Sequence, residues 1–136
     1  MAKRKILFRM RSFGIYTRWD AKSKDLPKIR EFTTEVPAIL DIEFGFIVNI
    51  EGAKNQPLEY CIYHPNIPDE RGNPRPPFDG TVYVPTNDWD FYLGDTVWEP
   101  IENKIGPWRM TLELKDQIIA DKTFQLVPAE SCDRQS

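Results

Sequence analysis

A chain of 136 residues, 40% of them apolar and 29% charged, fits one domain large enough to bury its own core. No stretch approaches the length needed to span a bilayer, and two cysteines, Cys61 in an apolar strand pattern and Cys132 in a polar tail, do not read as a disulfide framework. Residues 1–30 hold ten Lys or Arg against two Asp, yet the net charge of −3 makes the whole acidic, which argues against a nucleic-acid binder. The expectation is that Arg9 and Arg11 neutralise acidic neighbours such as Asp41 and Glu43 across strands, with no specific nucleic-acid partner. The basic start, Met1 to Lys5, meets Arg9 and Arg11 before an apolar segment develops. A cytoplasmic, reducing setting without a signal peptide is therefore expected.

In chain order, Phe8 and Met10 alternate with Arg9 and Arg11, and the apolar phase slips around Ser12 to Gly14, where a β-bulge is expected. Residues 20–28 hold Pro27 and read as a loop, and residues 29–36 as one short edge segment ended by Pro37. The clearest strand follows. Ile42, Phe44, Phe46, Val48 and Ile50 point one way; Asp41, Glu43, Gly45, Ile47 and Asn49 point the other. A turn over residues 51–55 then leads into residues 58–63, predicting a central hairpin with Leu58, Tyr60 and Ile62 inward.

From His64 to Gly80 the alternation vanishes, and prolines 65, 68, 74, 76 and 77 give a long, stiffened loop. Residues 81–84 and 89–93 read as short strands, and residues 94–105 as a lead into the last hairpin. There Trp108, Met110, Leu112 and Leu114 face inward, Asp116-Gln117 marks the turn, and Phe124 and Leu126 resume the period. The tail, 129–136, is polar and expected to fray. Short strands between turn signals, without a helical period, predict an all-β, immunoglobulin-like two-sheet sandwich of about seven to eight mostly antiparallel strands. One domain spans 1–136.

Six short pieces in order resemble an uncharacterised family of small bacterial proteins known as a domain of unknown function. They are Gly14-Ile15-Tyr16, Thr33-Thr34-Glu35-Val36-Pro37, Phe44-Gly45-Phe46, His64-Pro65, Gly106-Pro107-Trp108 and Lys122-Thr123-Phe124. The resemblance implies an immunoglobulin-like sandwich with no assigned activity, and it carries over no site residue. Members resembling this chain often begin with an export signal, from which this chain departs.

His64 is the only histidine, so any histidine base passes through it. No nucleophile elbow accompanies it. Cys61 and His64 have the spacing of a metal pair, but three residues along a strand reverse the face, so no metal site is expected. Asp79, Asp88, Asp90 and Asp95 do not follow a calcium loop, and turn or solvated roles account for them more simply than paired-carboxylate hydrolysis. Gly14, Gly45 and Gly52 stand alone, without a phosphate loop, and no cofactor is expected. Trp19, Tyr63, Trp89, Tyr92 and Trp98 lie at or near loops, where rings anchor partners or sugars; core filling is the competing account.

The reading is a non-enzymatic binding or protein-interaction module for an unknown protein or small-molecule partner, without catalytic residues. Its candidate binding residues are His64, Arg71, Arg75, Trp89 and Tyr92, around a proline loop whose return Phe78 anchors. The alternative is a small hydrolase or carbohydrate-active protein using loop carboxylates and His64. Convergence of those side chains in one concave pocket discriminates the two. Unpaired edge strands further predict a symmetric homodimer.

Overall fold

A computed structural model describes residues 6–18, 25–65 and 67–129. Nine strands run through it: β1 (Leu7–Tyr16), β2 (Ile29–Phe32), β3 (Glu35–Pro37), β4 (Glu43–Glu51), β5 (Pro57–Tyr63), β6 (Phe78–Tyr83), β7 (Asp88–Thr96), β8 (Gly106–Leu114) and β9 (Gln117–Val127). They form a four-stranded sheet, β2-β1-β4-β7, packed on a five-stranded sheet, β3-β9-β8-β5-β6. All pairs are antiparallel except β3 with β9. The all-β sandwich stands, with nine strands in place of seven or eight. No helix among the described residues is long and apolar enough to cross a membrane.

Alternation places the core. Phe44, Phe46, Val48 and Ile50 of β4 are fully buried against Trp108, Met110 and Leu112 of β8 and Phe124 and Leu126 of β9. The Phe44 ring meets Trp108 edge-on at 5.4 Å and Phe124 at 5.8 Å, the arrangement that ring quadrupoles favour. The β8–β9 turn falls at Lys115 and Asp116, both with positive φ (51° and 61°), matching the twist of a two-residue hairpin loop.

Two connections differ from the sequence reading. β4 and β5 form no hairpin: β4 pairs with β1 and β7, β5 with β6 and β8. Their inner faces look at each other across the core, and the loop between them arches from sheet to sheet. It is held there by Gly52 N–H to the Asn87 carbonyl (2.9 Å) and Asn55 N–H to the Val84 carbonyl (2.7 Å). Residues 29–36 likewise form two strands in different sheets, with the crossing at Thr33-Thr34. The Thr33 hydroxyl accepts the Glu35 N–H at 3.0 Å and stabilises that bend.

The bulge in β1 falls at Arg11, slightly earlier than expected. It aims Arg11 across β4 to Asp90 of β7 at 3.0 Å, so its acidic partner is neither Asp41 nor Glu43. Farther along, Gly14, Gly45 and Gly94 lie side by side across β1, β4 and β7 on the outer face. A Cβ on Gly45 would collide with the Leu93 carbonyl, and one on Gly94 with the Tyr92 hydroxyl. Two tyrosines use the bare strip. Tyr16 reaches back over it to Ser12 Oγ (2.7 Å), Tyr92 forward to Glu43 Oε2 (2.5 Å), and their rings meet edge-on at 5.1 Å. Glu43, 5% exposed, also accepts the Thr96 hydroxyl at 2.6 Å. Burial pushes the Tyr16 phenol up to about 12 and raises that of Tyr92, with the Glu43 charge adding to the latter.

Candidate functional site

A concave feature with convergent aromatic and cationic groups lies at one end of the sandwich, where the proline loop meets the connection between β7 and β8. The loop is a built structure. Pro68 and Pro74 form a short antiparallel bridge, Asp69 N–H donates to the Asn73 carbonyl at 2.7 Å, and Gly72 turns the chain with φ 83°. The Asp69 carboxylate organises that turn by accepting the Arg71 and Asn73 N–H groups at 2.8 and 2.9 Å. At its base Ile67 is buried in the main core.

His64 straps this loop down. Its Nδ1 is 2.9 Å from the Pro65 carbonyl and its Nε2 2.9 Å from the Pro76 carbonyl, so the ring bridges the two ends of the loop. Both facing groups are carbonyl oxygens, so whichever ring nitrogen carries the proton donates to one end of the loop. The imidazole also stacks on Phe78, centroids 4.7 Å apart, and faces Trp108 at 6.2 Å. Phe78 in turn touches Trp98 at 6.2 Å, so the returning strand is anchored in one aromatic cluster.

The opposite wall comes from a 3₁₀ turn, Ile101–Lys104. Lys104 is only 1% exposed, yet its Nζ donates to the Pro100 carbonyl (2.9 Å) and Asn103 Oδ1 (2.5 Å) and lies 4.3 Å from the Trp98 ring centre. Its own carbonyl accepts the Trp108 indole N–H at 2.8 Å, which ties the turn to the core. Burial lowers the Lys104 ammonium's pKa, while Glu102 and Asp95 oppose the shift. Asp95 faces inward from β7; burial pushes its carboxyl up to about 6, against the pull of the Thr96 N–H, His64 and Lys104.

Between the walls lies a cavity of about 390 Å³. Ile67, Pro68, Phe78, Trp98 and Pro100 give it apolar sides; Arg75, Asn103 and Lys104 supply the polar groups. The Arg75 guanidinium makes no ion pair or hydrogen bond among the described residues, so its charge is available at the rim.

Of the residues singled out from sequence, Arg75, Phe78 and Trp98 line this cavity, and His64 lies behind Phe78. Arg71 does not line it; with Asp69, Glu70, Asn73 and Arg75 it borders a separate hollow at the loop's turn. Trp89 packs on Phe91 at 5.1 Å on the inner face of β7, and Tyr92 is buried on the outer face of that strand. Trp19 and Cys132 lie outside the described residues. Lys104 and Asn103 went unread in the sequence because no apolar period surrounds them; the Lys-x-x-x-Trp spacing to Trp108 is the one local signal of the turn. Nor do the loop carboxylates converge. Asp79 is on the outer face of the five-stranded sheet, Asp88 and Asp90 accept Asn49 Nδ2 at 2.9 and 2.8 Å on the outer face of the other, and Asp95 is inside. Among the described residues no cluster of three or more His, Cys, Asp or Glu is placed to hold a metal ion.

The geometry has a solved counterpart. An immunoglobulin-like protein from Pseudomonas aeruginosa superposes over 93% of this chain and the whole of its own, with TM-score 0.73 and 22% identity. Likeness at that identity speaks for the fold, and the class is the immunoglobulin-like β-sandwich. Within that class the chain belongs to the domain-of-unknown-function family DUF3859, whose family model matches residues 4–126. A comparison with curated proteins finds no match.

Proposed function

We propose that this domain is a non-enzymatic binding module that receives its partner in the cavity between the proline loop and the 3₁₀ turn. The observation that carries the reading is the composition of that cavity: apolar, largely proline and aromatic walls with two cations and one amide. Such a lining suits a ligand with an apolar or aromatic body and an acidic group, for which Arg75 offers the unpaired charge. A hydrolase would need a free base and converging carboxylates. Each ring nitrogen of His64 lies 2.9 Å from a loop carbonyl, and the acids are dispersed over three faces.

The test is a chemical-shift map of isotope-labelled protein against acidic peptides that carry proline or aromatic residues. Shifts should concentrate on Ile67, Phe78, the Trp98 indole and Lys104, and Arg75→Ser should weaken binding about fivefold, as expected for loss of one partly exposed charge contact. Shifts spread over both sheets, or an Arg75→Ser variant that binds as well as the parent, would sink the assignment.

A further inference from the structure

We infer that the outer face of the five-stranded sheet is a second interaction surface, which takes an extended basic segment of a partner protein. A trough of about 440 Å³ lies there, away from the proline-loop cavity. Cross-strand register explains its chemistry. Glu59 of β5 stands directly opposite Glu113 of β8, and one row along, Asp79 of β6 flanks Cys61. Like charges directly opposed on a sheet destabilise it, and no cation among the described residues pairs with either of them. The one basic residue lining the trough, Arg109, is already held by Asp121 through two hydrogen bonds of 2.9 and 2.7 Å. Glu59, Asp79 and Glu113 make no ion pair among the described residues.

An independent observation points the same way. Thr111, on the floor between these acids, is 8% exposed, and its hydroxyl has no hydrogen-bond partner among the described residues. No fully enclosed side-chain polar atom among them lacks a partner, so this hydroxyl opens into the trough. It is an acceptor set beneath three carboxylates, as an ammonium or guanidinium group requires.

The spread of the site selects the occupant. The three carboxylates sit on three strands about 4.8 Å apart and are too dispersed to close around a metal ion, but they suit cationic side chains on an extended backbone. Tyr63 and Ile118, both exposed, flank the acids with apolar surface that a bare polyamine would leave in water. A protein segment covers them as well, with aliphatic side chains alternating between the basic ones.

The probe is an end-capped Lys-Val-Lys-Val-Lys peptide, followed by anisotropy and by amide shifts of the full chain, with spermidine and the Glu-for-Lys peptide in parallel. The Lys peptide should shift Cys61, Thr111 and Ile118. Glu59→Gln/Glu113→Gln should weaken it about fivefold while raising the thermal midpoint, and Thr111→Val about threefold, in keeping with loss of exposed ion pairs and one hydrogen bond. Glu31→Gln/Glu51→Gln, on the other sheet, should leave affinity unchanged. The inference is overturned if that control costs as much as the Glu59/Glu113 pair, if spermidine binds the same amides as tightly as the peptide, or if the shifts fall elsewhere. Failure here leaves the proline-loop cavity untouched, since no residue is shared between the two sites.

Discussion

At the scale of the single residue, Asp95 links the cavity to stability. Its carboxyl is raised from 3.8 to about 6 chiefly by burial. The folded state therefore binds this proton more tightly than the unfolded chain, and the group's destabilising effect is greatest above pH 6 and fades as pH falls toward 4. Asp95→Asn keeps the acceptor for the Thr96 N–H and removes the buried charge. It should stabilise the domain by about 1–3 kcal/mol at pH 8, with the gain gone near pH 4, as read by urea unfolding at the two pH values. A variant equally or less stable at pH 8 would show that the carboxylate is well solvated. Tyr92 shows why such residues are hard to read beforehand. Alternation assigns it to an outer face, where a ring reads as exposed and recognition-ready. Only the alignment of Gly14, Gly45 and Gly94, a matter of register between distant strands, reveals the strip on which the ring lies down.

At the scale of the element, faces were legible and partners were not. The inward residues of β4, β5, β8 and β9 follow from a period of two, because that period is local. Whether β4 joins β5 in a ladder or faces it across a core is decided by strands far away in sequence, and the same holds for the crossing at Thr33-Thr34. The proline loop was legible as stiff, but not its Asp69-centred turn or its strap. His64→Ala removes the ring's hydrogen bonding to the loop and its contact with Phe78 and should cost about 1–3 kcal/mol. Cleavage by trypsin after Arg71 should then accelerate while the sheets stay folded. An unchanged cleavage rate would mean that Ile67 and the Pro68–Pro74 bridge hold the loop without help.

At the scale of the whole molecule, the two sides of the sandwich are unlike. One is finished by the short strands β2 and β3, while the other ends in the longer β6 and β7, whose outer backbone groups have no strand partner among the described residues. Symmetric pairing of two copies along that open side is the expected mode of self-association. Light scattering at tens of micromolar, roughly the range in which weak interfaces begin to fill, should report a mass above the monomer's. A monomer there would show that Asp88 and Asp90 guard the β7 edge. The parallel pairing of β3 with β9 also sets the order of events in time. It joins Val36 to Leu126, and β9 is the neighbour of both β3 and β8. During synthesis, most of the chain therefore emerges before the strand that completes the five-stranded sheet exists. The domain has to wait for β9 to close, and until then β3 has no ladder to join and the edge of β8 stands open to whatever else is in solution.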